Sequence, residues 1–305
     1  MKKEFFQLIV KNIFDISYGM FTYNQETRTF WFALESYESN LKFELIGFIL
    51  GLAMYNHVIL DVHFPRIIYK KLLNQPFEFQ DLKDYSPTIF NSFKFIEDSE
   101  DSSIIESLSI PFSVEAEVLG VKKVYELKEN GSNIMLTLEN KNEYINLYLD
   151  WLFNDSVKIH FSYFKKGFDK IVPGELIKDF EPDELELMIC GSQILDFKLL
   201  EKNTKYDGGY NKDDQTIKYF WSVIHEMNIE QQKKFLAFAT GSDRAPVNGL
   251  GSMEFYISKH GEDSEKLPCS HTCFNHLLLP AYKTREKLKD RLLLAINNCE
   301  GFGLI

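Results

Sequence analysis

Between Leu45 and Tyr55 apolar side chains return at helical spacing. Leu45, Phe48, Ile49, Leu52 and Tyr55 fall on one stripe, which we take as a core face. Gly47 and Gly51, four residues apart, lack the Cβ that would keep a neighbouring helix at a distance. After Pro65 a second apolar series, Ile67, Ile68, Leu72 and Leu73, predicts another helix that Asn74-Gln75-Pro76 breaks. The pattern then changes character. Residues 98–103, Asp-Ser-Glu-Asp-Ser-Ser, predict a flexible polar stretch, and Val121 to Leu138 reads as two strands joined at Asn130-Gly131, a strong hairpin signal. Asn140 with Glu143 three residues later predicts a capping box opening the helix that holds Tyr144, Ile145, Leu147, Tyr148, Trp151 and Leu152. This stretch, about residues 76–165, reads as a small α/β subdomain inserted in a larger helical one.

A helix starts near Pro182, where Asp183 and Glu184 suit the positive end of its dipole, and stops at Gly191. Beyond it, Ile217, Phe220, Trp221 and Ile224 share one helical face, and Phe235, Leu236 and Phe238 lie on a helix begun by Asn228. After Gly241 the pattern predicts loops and short strands, then a closing helix with Leu288, Leu292 and Ile296. The fold class is α+β, and no repeat or low-complexity tract interrupts it.

Composition narrows the classes of function. A chain of 305 residues with 45% hydrophobic content buries a large core and predicts two domains. A net charge of -11 speaks against nucleic acid, whose phosphates need clustered Lys and Arg. The start, Met-Lys-Lys-Glu-Phe-Phe-Gln, does not read as a signal peptide, and the longest apolar run, Leu45 to Tyr55, is short of the roughly 20 residues a bilayer requires. We therefore expect a soluble chain. Cys190, Cys269, Cys273 and Cys299 make no disulfide framework and predict reduced thiols in the cytoplasm or the nucleus.

The candidate chemistry lies in residues 267–280, Leu-Pro-Cys-Ser-His-Thr-Cys-Phe-Asn-His-Leu-Leu-Leu-Pro. If residues 269–273 are extended, Cys269, His271 and Cys273 share one face. His271 would then lie roughly 6.6 Å along the strand from Cys273, close enough to tune its field but not for a tight imidazole–thiolate pair. By residue type alone a free cysteine is more often buried packing than a nucleophile, which is how we read Cys190 and Cys299. Cys269, His271, Cys273 and His276 crowd too closely for the two separated ligand pairs of structural zinc, so we expect no metal. The phosphate-binding G-x-x-x-x-G-K-[ST] loop, the H-E-x-x-H helix and the G-x-S-x-G elbow are all missing. Phe90, Phe93, Phe95 and Ile96, with Tyr144 and Tyr148, either fill a core or line a groove. Asp61, beside His63, is either a helix-end carboxylate or a general base.

The 267–280 run closely resembles the catalytic stretch of HECT-type ubiquitin ligases. Further likeness runs through Glu4-Phe5-Phe6-Gln7-Leu8, Leu60-Asp61-Val62-His63-Phe64-Pro65, Thr240-Gly241-Ser242-Asp243-Arg244-Ala245-Pro246-Val247 and Gly301-Phe302-Gly303, which is essentially the whole chain. Within the family it looks most like the E6-associated-protein branch. The resemblance implies a bilobal domain: a mostly helical N-lobe at 1–190, a hinge at Gly191, Ser192 and Gln193, and an α/β C-lobe at 194–305. It implies that Cys273 carries ubiquitin as a thioester, that His271, Thr272, Asp61 and Phe302 support transfer, and that Ile89, Phe93, Ile96, Tyr144 and Tyr148 line a groove for the conjugating enzyme. Ubiquitin, a conjugating enzyme and a protein substrate are the implied partners, with no cofactor, nucleic acid or membrane. The family carries a helix and a Gly- and Asp-rich segment ahead of the Phe5-Phe6 position, so the resemblance also implies either an amino-terminally truncated N-lobe or a fold that closes the gap another way. Two alternatives stay open: a noncatalytic module that binds a conjugating enzyme, and a cysteine hydrolase pairing Cys273 with His225 or His260.

Overall fold

The computed structural model describes residues 2–118 and 120–298. They form two compact units, one of residues 2–10, 57–61 and 187–298, the other of residues 11–56, 62–118 and 120–186.

In the second unit a hairpin of β1 (Phe21–Asn24) and β2 (Thr29–Phe32) precedes the helix Asn40–Tyr55, which packs along the helix Lys158–Asp169. The two backbones touch at glycines. A Cβ on Gly47 would fall 1.8 Å from the Phe164 carbonyl oxygen, and one on Gly167 would fall 1.8 Å from that of Glu44. The close approach expected at Gly47 is therefore present, while Gly167 carried no comparable signal. The expected core stripe is corrected. Phe43, Ile46, Ile49, Leu50, Ala53 and Met54 are buried, whereas Leu45 and Tyr55 are exposed and Phe48 and Leu52 only half-buried. This helix is apolar nearly all round, so periodicity could not choose its inner face; the glycines did. Phe21, Phe32, Phe43 and Phe164 then close a ring-on-ring core, with Phe32 and Phe164 centroids 5.4 Å apart. The helix Arg66–Leu72 buries Ile67, Ile68 and Leu72 as expected, and ends before Asn74, at φ 56°.

The helix Pro87–Asp98 follows in this unit, its first-turn N–H at Ile89 accepted by Ser86 Oγ. The polar stretch is partly ordered: Asp101 accepts the Ser103 N–H at 2.9 Å and caps a short helix, Ser102–Ser107. The hairpin expectation fails in register. Its strands are β3 (Ser113–Val118) and β4 (Val121–Glu126), paired Ser113 to Glu126 through Val118 to Val121. Asn130-Gly131 does turn the chain, with Asn130 at φ 59°, but it turns it onto residues 110–112. Phe112 N–H donates to Ile134 O at 2.9 Å and Leu136 N–H to Ile110 O at 2.8 Å. Gly131 is needed there, since a Cβ would lie 2.2 Å from Phe112 O. The capping box at Asn140 is also absent. Asn140 uses its side chain on Thr137 N–H and Met135 O, and Glu143 pairs with Lys128 instead, ahead of the helix Lys141–Phe153.

The first unit is built on a four-stranded sheet in the order β5 (Lys205–Asp207), β6 (Tyr256–Lys259), β8 (His276–Leu279), β7 (Cys269–His271). Its first three strands are parallel and β7 runs antiparallel to β8. The helix Gln215–Glu226 buries Ile217, Phe220, Trp221 and Ile224, as expected. In the helix Ile229–Thr240, Asn228 and Gln231 form a full capping box. The helix Arg285–Asn298 buries Leu288, Leu292 and Ile296 against this same core. Gly191, at φ 78°, ends the helix Pro182–Cys190, and Cys190 is buried as predicted. Cys299 and Phe302 lie outside the described residues.

Candidate active site

Cys273 is a free, half-buried thiol on a one-turn 3-10 helix, Thr272–Phe274, that links β7 to β8. The expected extended run is corrected here: the strand stops at His271 (φ -108°, ψ 88°), so the alternation that would put Cys273 on the face of Cys269 and His271 ends before it reaches the thiol. The turn closes because Asn275 takes the left-handed conformation, φ 47° and ψ 48°, which Asn tolerates better than most residues. Its backbone N–H returns to Thr272 O at 3.3 Å. Both ends are then fixed from outside the loop. Asn275 Nδ2 donates to Glu254 O at 3.1 Å, Tyr256 N–H donates to Asn275 O at 3.0 Å, and Ser270 Oγ donates to Phe238 O at 2.6 Å. Phe274 projects with 71% of its surface exposed.

A residue that sequence reasoning missed completes the setting. Lys3, on the helix Lys2–Ile13, donates from Nζ to Asn275 Oδ1 at 2.7 Å and to Thr272 O at 3.2 Å. These two groups flank Cys273. Burial lowers the Lys3 ammonium to about 8, and the charge of Cys273 acts in the opposite direction. No local pattern pairs residues 272 positions apart.

The two expected neighbours on the loop differ. His271 is exposed, its ring 6.0 Å from that of His276, and Thr272 contributes its carbonyl rather than its hydroxyl to the contacts above. His276 Nε2 lies 2.5 Å from Ser258 Oγ, which also bonds to Asp207, so three neighbouring strands are tied through their side chains. Of the two histidines considered for a hydrolase, His225 is engaged with Glu201 at 2.7 Å, and the His260 backbone N–H bonds Leu279 O. Cys269 is exposed, its Sγ 3.8 Å from Leu267 O.

Asp61 does not end a helix; it lies in a bend between the helices Asn40–Tyr55 and Arg66–Leu72. Its carboxyl is raised to about 6. Desolvation by the protein around the carboxyl disfavours its charge and Asp243 adds like-charge repulsion, while Arg244 opposes both; the residue as a whole is exposed, which weakens the effect of burial. Of the five groove candidates, Phe93, Ile96 and Tyr144 are buried and Ile89 and Tyr148 half-buried. Their rings interlock, Phe93 lying 4.6 Å from Tyr148 and 5.8 Å from Tyr144, which in turn stands edge-on to Phe112 at 5.2 Å. At the hinge candidates, Ser192 N–H donates to Ala245 O at 2.7 Å and Ala245 N–H returns to Ser192 O at 2.8 Å. Gly191 is buried and Gln193 exposed.

Comparison with known proteins places this geometry. Residues 7–305 match the family model described as HECT-domain (ubiquitin-transferase). The chain is similar to the human protein called probable E3 ubiquitin-protein ligase HERC4, 42% identical over all of this chain and 29% of that protein. It is likewise similar to mouse probable E3 ubiquitin-protein ligase HECTD2, 39% identical over all of this chain and 41% of the relative. Probable E3 ubiquitin-protein ligase HUL4 of Eremothecium gossypii is 36% identical over 99% of this chain and 38% of its own length. The chain thus spans less than half the length of these relatives.

Proposed function

The chain belongs to the HECT-domain (ubiquitin-transferase) family, and from that premise we propose that it is a ubiquitin-protein ligase domain using Cys273 as its acceptor thiol. The observation that carries the reading is the setting of that thiol: unpaired, partly open to solvent, and on a turn braced at both ends. The Cys273 thiolate attacks the thioester carbonyl that joins ubiquitin to a conjugating enzyme. A C–S bond to Cys273 forms and the conjugating enzyme's thiolate leaves with its electron pair. A substrate lysine amine then attacks the new thioester, loses its proton, and releases the Cys273 thiolate as the isopeptide bond forms. The first exchange, thioester for thioester, is nearly balanced and the second, thioester to amide, is downhill; splitting one transfer into two easier steps is the usual gain of covalent catalysis.

Charged conjugating enzyme tests the assignment. Wild type and Cys269→Ser should form a thiol-sensitive ubiquitin adduct, and Cys273→Ala should not; an adduct on Cys273→Ala refutes it. Within the same reading Asp61 orients or deprotonates the incoming lysine, as its raised carboxyl suits a base. His271 and Thr272 shape the thiol's turn, and motion about residues 191–193 lets the thiol meet donor and acceptor. Phe302 supports discharge: Phe302→Ala should load at a near-normal rate and pass ubiquitin to lysine slowly. The conjugating enzyme docks on the small subdomain, where Tyr148 and Ile89 are the groove candidates with surface to offer. The likeness to the E6-associated-protein branch rests on the quoted runs, whereas the relatives above carry other names, so the assignment stops at the family. Ubiquitin, conjugating enzyme and protein substrate are the proposed partners, and the cytoplasm or nucleus the proposed place of action.

A further inference from the structure

The turn that presents Cys273 is held from one side by a residue the family reading gives no role. Lys3 sits in the first turn of the helix Lys2–Ile13, where Phe6 and Val10 follow at helical spacing and are both buried. Their burial fixes the rotation of the helix. It delivers the Lys3 stem to the turn with Nζ bonded to Thr272 O and Asn275 Oδ1, the two groups that bracket the thiol. Both bonds go to neutral acceptors. The ammonium thus stands half-buried beside Cys273 with no carboxylate among these two partners to neutralise it.

We propose that Lys3 is a positioning residue for the transfer reaction: its charge favours the Cys273 thiolate, and its two hydrogen bonds hold the turn that aims it. This rests on the reading of Cys273 as the acceptor thiol. A thiolate is the nucleophile in loading and the leaving group in discharge, so the cation helps the step taken while the turn is bonded to Lys3, and motion about residues 191–193 parts the two for the other.

The other charged groups around the turn leave Lys3 the strongest candidate. On the flanking strands His271 is exposed and His276 is engaged with Ser258. Ahead of β6 the Glu254 carboxylate is paired with Lys205 at 2.7 Å. On the helix Ile229–Thr240, which packs against the turn, the charged residues Glu230, Lys233 and Lys234 lie in the first two turns; its contact near the thiol is the Phe238 carbonyl that receives Ser270. Among these, Lys3 is the cation bonded to the turn itself.

The test is the pH profile of Cys273 alkylation by iodoacetamide in the full chain, read by peptide mass on a Cys269→Ser background, with Lys3→Gln and Lys3→Arg alongside. Loss of a cation bonded to the turn of a reactive thiol should slow its alkylation at neutral pH by about threefold to tenfold. Lys3→Gln should show that slowing, while Lys3→Arg, which keeps charge and donors, should stay near wild type. A Lys3→Gln profile that overlies wild type overturns the proposal. So does a Lys3→Arg profile displaced as far as that of Lys3→Gln, because the turn would then depend on the fit of the lysine and not on its charge. Alkylation involves no ubiquitin, so this result and the adduct assay on Cys273→Ala fail separately.

Discussion

Replacing Gly47 by alanine sets two effects of opposite sign against each other. In a helix interior alanine is favoured over glycine by about 1 kcal/mol. Against that, the added Cβ would stand 1.8 Å from Phe164 O, 2.7 Å from Phe164 C and 3.0 Å from Phe168 N. Real Cβ atoms keep about 3.0 Å or more, so the helices Asn40–Tyr55 and Lys158–Asp169 must open by at least 1.2 Å, from 1.8 Å to 3.0 Å. The obstacle is backbone on both sides and cannot rotate away. Overpacking a well-filled core costs about 1–3 kcal/mol, and a backbone obstacle puts this site at or above the upper end, so the net loss is about 2 kcal/mol. For a unit of this size that lowers its melting temperature by about 4–8 °C. Thermal unfolding followed by circular dichroism measures it, with Gly174→Ala as the control. Nothing lies within 4 Å of a Cβ on Gly174, so that variant should be neutral or slightly stabilising. Equal melting of the two variants would refute the close helix contact.

Phe93→Ala should cost about 3–5 kcal/mol of stability, since the ring is buried against Tyr144 and Tyr148; chemical denaturation measures the loss. Unchanged stability together with weaker binding of a conjugating enzyme would show the ring to be a contact rather than packing. Gly191→Ala should cost about 2–4 kcal/mol, because φ 78° penalises any Cβ and this one would lie 2.5 Å from Ala245 O and 2.9 Å from Ile59 Cγ2. Its melting curve checks that, and a wild-type curve would mean the seat at Ala245 is not held in solution.

What the sequence determined by itself is local or carried by motif. The choice of Cys273 as the candidate thiol rests on the resemblance carried by residues 267–280, and the α+β class on the mix of helix and strand patterns along the chain. The stop at Gly191, the cap at Asn228 and the buried faces of Gln215–Glu226 and Arg285–Asn298 all sit within a turn or two of chain. There, spacing and backbone preference decide the outcome. What only the tertiary structure decided involves a choice among equivalent local options. The helix Asn40–Tyr55 is apolar on nearly every side, so its inner face was set by the backbone that meets Gly47, not by its own period. Asn130-Gly131 fixes a turn but not a strand partner, and the partner proved to be residues 110–112 rather than β4. Phe93 and Tyr144 could be core or groove by composition, and the packing of Phe112 and Tyr148 around them made them core. Lys3 reached Thr272 and Asn275 from the other end of the chain. Such a contact depends on where two separately folded segments are carried, and side-chain spacing along the chain holds no record of it.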